Sequence, residues 1–188
     1  MPHDRLPADV PTIRLGDYLL RRIEPGDAAD LYAYWSDPDV TALTSTVVNS
    51  MDDIAAAIQY SSDAWDSRSG VRWAICQADS GRIVGDCGYN NFDQRHNSAV
   101  IGYQVAKEHW GRGLATRAVN EMLRWGFATL DLHRVEATVH PENSRSGRVL
   151  EKLGFRREGL LRDYRHGRNG YFDCILFGLL RPEWVDVS

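Results

Sequence analysis

A short glycine-containing run, Trp110-Gly111-Arg112-Gly113-Leu114-Ala115-Thr116, has the residue types of an anion-binding turn. Two glycines separated by one residue allow the backbone to turn with its N–H groups exposed. A helix that begins directly after the turn adds partial positive charge, so the run suits a diphosphate. It is not a Walker P-loop, because no Gly-Lys-Ser/Thr follows, and it comes too late in the chain for a Rossmann fingerprint.

Apolar periodicity predicts the elements that position this turn. Ala99–Val105 has a strand pattern, with Ile101, Tyr103 and Val105 on one face. After the turn, one helical stripe is formed by Ala115, Val119, Met122, Leu123, Gly126 and Leu130. A strand at His133–Val139 and a short helix at Ser144–Leu153 follow, so the turn lies inside a strand–helix–strand unit.

The rest of the chain predicts strands and helices in the overall order β-α-α-β-β-β-α-β-α-β-β. Asp37-Pro38 is expected to end the first helix, and Asn90–Asn97 is expected to be a turn. The remaining predicted elements are a strand over Thr12–Ile23 broken at Gly16-Asp17, helices over Asp27–Trp35 and Ser50–Trp65, and strands over Val71–Gln77, Ile83–Tyr89, Phe155–Leu161 and Tyr171–Leu180. This order predicts an α/β fold with a mixed, mostly antiparallel central sheet flanked by helices.

The chain has 188 residues, enough for one domain, and we predict a flexible arm over 1–11 and a single domain over 12–188. A net charge of −4 argues against a nucleic-acid partner, and no stretch has the length of a membrane span. The three cysteines are too few and too widely spaced for a disulfide framework or a zinc site. These features favour a cytoplasmic protein without a metal.

The charge is divided unevenly along the chain. Residues 1–66 carry twelve acidic and four basic residues, whereas residues 67–188 carry fourteen acidic and eighteen basic residues. Such asymmetry predicts one face for an anionic partner and one for a cationic partner, although two ordinary solvated faces would give the same count.

With these elements around it, the glycine turn resembles that of the GNAT superfamily of N-acetyltransferases, which reads Gln/Arg-x-x-Gly-x-Gly/Ala. Trp110 occupies the first position here, as is usual in the subgroup similar to ribosomal-protein N-terminal acetyltransferases of the RimJ/RimL type. The resemblance extends from about Ile13 to Trp184. Its other motifs are Ile101-Gly102-Tyr103, His133-Arg134-Val135-Glu136-Ala137, Pro141-Glu142-Asn143-x-x-Ser146, Leu150-Glu151-Lys152-Leu153-Gly154-Phe155, Glu158-Gly159, Leu161-Arg162-Asp163-Tyr164 and Asp173.

The resemblance implies an acyl-CoA N-acyltransferase fold and acetyl-CoA as the acetyl donor. The strand before the turn would hold the pantetheine through the backbone of Tyr103, Gln104 and Val105. The turn itself would hold the diphosphate through Gly111, Arg112, Gly113, Leu114, Ala115 and Thr116. Asn143 and Ser146 match positions near the pantetheine arm and the thiol, and Asn143 also has the residue type of a helix N-cap. Basic side chains beside the two helix starts, Arg112, Arg117, Arg145, Arg148 and Lys152, are candidates to pair with the phosphates of CoA.

Candidate proton donors for the departing thiolate are Ser146, which is alternatively a plain helix residue, and Tyr164, which is alternatively an edge-strand aromatic. The general base is less defined, because Val100 stands where many relatives have glutamate. The candidates are Asp86, an acid within an apolar strand, and Asp173, the acid of a late strand. Asp86 is alternatively a bulge or solvent-facing residue, and Asp173 is alternatively structural.

The function predicted from the resemblance is direct acetyl transfer from acetyl-CoA to a primary amine. A protein N-terminus, a polyamine or another small cationic amine would suit the acidic N-terminal segment that covers the acceptor side in this family. The alternative is a catalytically inactive module that binds acyl-CoA as a sensor, which the missing glutamate leaves open. Homodimerisation and the use of other acyl groups also stay open.

Overall fold

One mixed sheet organises the protein in a computed structural model that describes residues 5–187. Its strands lie in the order β1-β2-β3-β4-β5-β6-β8-β7, and the only parallel neighbours in it are β5 and β6. The strands are β1 Ile13–Leu15, β2 Tyr18–Arg22, β3 Val71–Gln77, β4 Ile83–Asp93, β5 Ser98–Val105, β6 Arg134–Val139, β7 Arg156–Gly167 and β8 Gly170–Leu180. The predicted fold class is confirmed.

Helices cover both faces of this sheet because the strands are apolar on both sides. In β3, Trp73 and Ile75 belong to one buried cluster, and the alternate residues Ala74 and Cys76 belong to another. The helices are α1 Ala28–Trp35, α2 Pro38–Thr41, α3 Met51–Asp66, α4 Leu114–Trp125 and α5 Ser144–Lys152. Residues of α4 and α5 pack in the first cluster, and residues of α1 and α3 pack in the second.

The predicted end of the first helix before Asp37-Pro38 agrees with the structure, because α1 ends at Trp35. The Asp37 side chain then caps the separate helix α2, whose first residue is Pro38, a position that proline favours. Two other predicted boundaries differ from the structure. Strand β4 continues to Asp93 through a bulge between Tyr89 and Asn91, so Asn90 lies in the sheet rather than in a turn. Helix α4 ends at Trp125, and the rest of its apolar stripe continues in a π-helical turn over Gly126–Leu130.

The segment predicted as a flexible arm is docked where the structure describes it. Leu6 is buried in the core. Its carbonyl accepts a hydrogen bond from Arg68, and the indole N–H of Trp73 donates to the Pro11 carbonyl at 2.9 Å. The paired backbone and the buried leucine hold residues 5–11 against the domain. No helix within residues 5–187 combines the length and apolar character that a membrane crossing requires.

Candidate active site

The site begins where the two parallel strands separate. Strands β5 and β6 pair from Ser98 opposite Arg134 to Ile101 opposite Ala137, and no pairing follows although both strands continue. The side of Gly102–Val105 that faces β6 therefore has no strand partner in the described chain. The gap leaves room for two cavities, which we call the larger cavity and the smaller cavity.

The larger cavity has a volume of about 340 Å³ and lies between the end of β5, the glycine turn, α2 and the starts of α4 and α5. All but one of the residues predicted from the resemblance to bind the cofactor line it. These are Tyr103, Gln104, Val105, Gly111, Gly113, Leu114, Ala115, Thr116, Asn143 and Ser146. The exception is Arg112, which is exposed and outside the lining.

The glycine turn has the backbone conformation expected of an anion cradle. Gly111 and Gly113 have φ values of +73° and +72°, which L side chains rarely adopt. Gly113 is the N-cap residue of α4, and no described side chain caps this helix start. The first amides of α4 therefore remain available to an anion.

Trp110 makes two contacts at this cavity that its place in the motif did not predict. Its indole N–H donates to the Val105 carbonyl at 2.7 Å, so that carbonyl is already paired. The Arg145 guanidinium lies 3.9 Å from the centre of the Trp110 ring. Trp110 thus fixes the end of β5 and holds a cation at the cavity wall.

Basic side chains of α5 give the larger cavity its charge. Arg145, Arg148 and Lys152 all line it, whereas Arg117 lies outside the lining, over the ring of Tyr18. Amides at a helix start together with three cations make a donor set that fits the phosphates of CoA. Within residues 5–187, no group of three or more histidine, cysteine, aspartate or glutamate side chains is arranged to hold a metal ion.

A pair of hydroxyl groups lies where the two cavities meet. The Tyr103 and Ser146 hydroxyl oxygens are 2.7 Å apart, and both residues line both cavities. The Asn143 side chain accepts a hydrogen bond from the Ser146 backbone N–H at 3.1 Å, so Asn143 is the N-cap of α5 as well as a cavity residue. Burial raises the pKa of Tyr103 although the contact with Ser146 lowers it, so the phenol stays protonated at neutral pH.

The smaller cavity has a volume of about 190 Å³ and opens on the other side of this hydroxyl pair. Among its lining residues are Arg72 of β3, Arg165 of β7 and His140, which follows β6. Gln104 lines both cavities; its amide nitrogen contacts Thr46, while its buried Oε1 has no hydrogen-bond partner among the described residues.

Asp86 is inside the sheet rather than in either cavity. It is fully buried, and its carboxylate is bonded to Arg72 and accepts hydrogen bonds from Tyr34 at 2.8 Å and Trp35 at 3.1 Å. Arg72 also bonds the Asn90 side chain. The expectation that Asp86 faces the site is therefore wrong, because this acid balances a buried guanidinium and satisfies two buried donors.

Tyr164 and Asp173 also lie outside both cavity linings. Tyr164 is exposed, and the Arg165 guanidinium lies 5.0 Å from its ring centre. The Asp173 carboxylate accepts a hydrogen bond from the backbone N–H of Asp163, a residue with positive φ in an irregular part of β7. These contacts favour a structural role for Asp173 and place Tyr164 on the surface beside the smaller cavity.

The N-terminal acids do not form an acceptor wall. No aspartate or glutamate of the described chain lines the smaller cavity. Asp27 pairs with Arg21, Asp39 with Lys107, and Asp53 caps α3. These three acids of residues 1–66 are thus used in a cap and in ion pairs, and the charged side chains at the smaller cavity are cations.

Comparison with known proteins adds the family. Residues 17–156 match the model of an acetyltransferase (GNAT) domain. An uncharacterized N-acetyltransferase, p20 of Bacillus licheniformis, is 38% identical over 88% of this chain and 94% of its own length. The ribosomal protein uS5-alanine N-acetyltransferase of Escherichia coli is 29% identical over 62% of this chain and 61% of its own.

Solved structures agree with these matches. RimJ of Mycobacterium smegmatis, whose structure contains CoA-disulfide, superposes with a TM-score of 0.83 and 27% identity. The superposition covers 96% of this chain and 91% of that one. The fold of this chain therefore agrees with that of a solved acetyltransferase structure.

Proposed function

Because the chain belongs to the GNAT acetyltransferase family, we propose that it moves the acetyl group of acetyl-CoA directly to a primary amine bound in the smaller cavity. The observation that carries this proposal is the meeting of the two cavities at shared residues, with the Tyr103 and Ser146 hydroxyls between them. An acetyl donor in one cavity and an amine in the other would react at this junction.

The larger cavity supports the donor half of the proposal. Acetyl-CoA, when bound, supplies an acetyl carbonyl activated as a thioester. The amides at the start of α4 bind the diphosphate, and Arg145, Arg148 and Lys152 surround it with positive charge. The Val105 carbonyl is paired with Trp110 and the Gln104 backbone with Asp86 of β4, so the pantetheine contacts fall mainly to the backbone of Tyr103.

The junction supports the transfer step. The amine nitrogen bonds to the acetyl carbon, the carbon–sulfur bond breaks, and the thiolate takes up a proton. Ser146 donates that proton or orders a water that does, and the proton that the amine nitrogen loses on becoming an amide returns to Ser146 through the Tyr103 hydroxyl or water. With Asp86 enclosed, we assign no carboxylate base, and the amine enters in its neutral form.

Direct transfer is favoured over an acetylated cysteine. Cys174 lines the smaller cavity, but burial raises its thiol pKa and Arg165 only partly offsets this effect. Cys87 is fully buried, and burial raises its pKa further. Neither thiol has the depressed pKa of a cysteine nucleophile. The setting we expect for these reduced thiols is the cytoplasm.

The test is an amine panel followed by CoA release, with the intact mass of the protein measured after incubation with acetyl-CoA alone. We expect thiol release that depends on the amine and no acetyl adduct without it. An adduct on Cys174 that passes to an amine would replace direct transfer with a two-step route. Binding of CoA without turnover on any amine would favour the sensor alternative.

A further inference from the structure

The charge of the smaller cavity points to the kind of molecule that carries the amine. Arg72 and Arg165 line it from different strands, and no carboxylate of the described chain lies in its wall. The two guanidiniums differ in whether a carboxylate of the protein neutralises them. The one without such a partner is the charged group that a bound molecule would meet.

Arg72 is a fixed, neutralised part of the wall. Its guanidinium is held between the carboxylate of Asp86 and the side chain of Asn90. It lies against Gly102, where a Cβ would come within 3.4 Å of Nη2 of Arg72 and 2.9 Å of Nδ2 of Asn90. The glycine thus makes room for a guanidinium whose charge Asp86 balances.

Arg165 has no such partner. It is half-buried, and its contacts are a hydrogen bond to the Thr138 hydroxyl at 3.5 Å and the ring of Tyr164. No carboxylate within residues 5–187 forms an ion pair with it. A half-buried guanidinium facing a cavity without a counter-ion is a site for an anion.

His140 adds a second donor to the same wall. Its Nδ1 accepts a hydrogen bond from the backbone N–H of Glu142 at 3.2 Å, and this assignment leaves the hydrogen on Nε2. The imidazole ring packs 5.1 Å from the ring of Phe172, centre to centre. The cavity wall is therefore rich in donors and cations.

We propose that the acceptor amine belongs to a molecule that carries a carboxylate or a phosphate within a few bonds of the amine, and that Arg165 binds this anion. This inference rests on the proposed function, because it assumes that the amine occupies the smaller cavity. A molecule whose only charge is cationic is disfavoured beside the unpaired Arg165 guanidinium, whereas a nearby anion offsets that repulsion. The anion can belong to a free amino acid or amino phosphate, or to an acidic residue at the start of a polypeptide.

The experiment compares pairs of amines in which one member carries a carboxylate or phosphate near the amine. Each kcat/KM is expressed per concentration of unprotonated amine, because the neighbouring group also changes the amine pKa. The pairs are alanine with alaninamide, phosphoethanolamine with ethanolamine, and a peptide beginning Ala-Asp with one beginning Ala-Asn. Spermidine represents the cationic class. We expect the anionic member of at least one pair to have a kcat/KM about tenfold higher, as one well-placed ion pair would give. The pair that responds tells a small molecule from a polypeptide N-terminus.

Variants assign the effect to Arg165. In Arg165→Gln the ratio between anionic and neutral members should fall towards one, and in Arg165→Glu it should invert. Arg162→Gln, an exposed arginine of the same strand outside the cavity lining, should keep the ratio. Calorimetry of N-acetylalanine against its amide, in the presence of CoA, measures the same preference without turnover.

The outcomes separate this inference from the proposed function. Faster reaction of neutral or cationic amines than of every anionic partner would overturn the inference while leaving acetyl transfer intact. An anionic preference that survives Arg165→Gln would move the anion site elsewhere. If Arg165→Gln does not fold, the ratios between anionic and neutral substrates in Arg165→Lys and in the wild-type protein still test whether Arg165 binds the anion. CoA binding without release on any amine contradicts the proposed function itself.

Discussion

The larger and the smaller cavity share the Tyr103–Ser146 hydroxyl pair but are built differently. The larger cavity uses backbone amides of one turn and cations of one helix, so its parts are close in sequence. The smaller cavity takes its side chains from separate strands and from the segment after α2. Binding by backbone depends on local conformation, whereas binding by side chains depends on which strands are neighbours.

The two cavities also differ in how they carry charge. The larger cavity has three cations at its wall that no carboxylate encloses, namely Arg145, Arg148 and Lys152. Asp39 is nearby, but it is paired with Lys107. In the smaller cavity, Arg72 depends on the buried Asp86. A substitution of one of the cations at the larger cavity should therefore weaken ligand binding locally. A substitution in the Arg72–Asp86 pair should instead lower the stability of the protein.

The largest expected effect is on the buried network under the smaller cavity. Asp86→Asn leaves the Arg72 guanidinium without its counter-ion, and we expect the free energy of unfolding to fall by about 3–5 kcal/mol. Urea denaturation measures this loss. The matched control is Asp39→Asn, which removes an exposed ion pair and should have a much smaller effect on stability. Equal losses in the two variants would contradict the network, and the CoA affinity of folded Asp86→Asn should be unchanged.

The next effect is at the junction. Ser146→Ala should lower kcat by about 10–100-fold, at and below the low end for general acids, because a thiolate leaves without an obligatory donor. The dissociation constant of acetyl-CoA should change little. Ser144→Ala, one residue into the same helix and outside both linings, is the control. Full kcat in Ser146→Ala would transfer the acid role to Tyr103.

The backbone character of the larger cavity is tested at Gly113. Gly113→Asp places a charged side chain at a positive φ in the diphosphate cradle, and CoA affinity should fall at least about tenfold, or about 1.4 kcal/mol. Gly81→Asp is a matched control, since Gly81 has a φ of +71° in an exposed turn away from the cavity. Calorimetry compares them, and equal small losses would show that the ligand binds elsewhere.

Alkaline pH separates the buried phenol from exposed ones. The native pKa of Tyr103 is raised by burial, so above about pH 10 the unfolded chain loses this proton and the native protein keeps it. The unfolded state then binds fewer protons, so stability falls as pH rises, by up to about 1.4 kcal/mol per unit for this group. Tyr103→Phe should make the fall between pH 9 and 11 shallower, whereas Tyr60→Phe, at an exposed position, should not. Identical slopes would exclude this linkage.

The smallest effect concerns the rim of the larger cavity. Arg145→Ala should weaken CoA binding a few-fold, with a dependence on salt, because this cation is held at the wall by Trp110. Arg112→Ala should change the affinity by less than about twofold, since its side chain is outside the lining. A larger loss of affinity in Arg112→Ala than in Arg145→Ala would mean that the turn binds CoA through side-chain charge rather than through its backbone amides.

The sequence by itself determined the parts that depend on neighbours along the chain. The glycine turn, the stripe of α4 and the Asn143 cap could be recognised because local conformation and residue type are coupled within one or two turns of backbone. The resemblance then pointed to residues that line the larger cavity, although the candidate side chains of Arg112 and Arg117 lie outside its lining.

Only the tertiary structure decided which residues form the smaller cavity and that Asp86 belongs to an internal ion pair. An acid in an apolar strand is compatible with a catalytic group or with an internal ion pair, and the choice depends on Arg72, fourteen residues away along the chain, and on Tyr34 and Trp35. Arg165 meets that wall through the pairing of β8 with β6. Strand order and register set such contacts, and they bring together side chains that no spacing along the sequence connects.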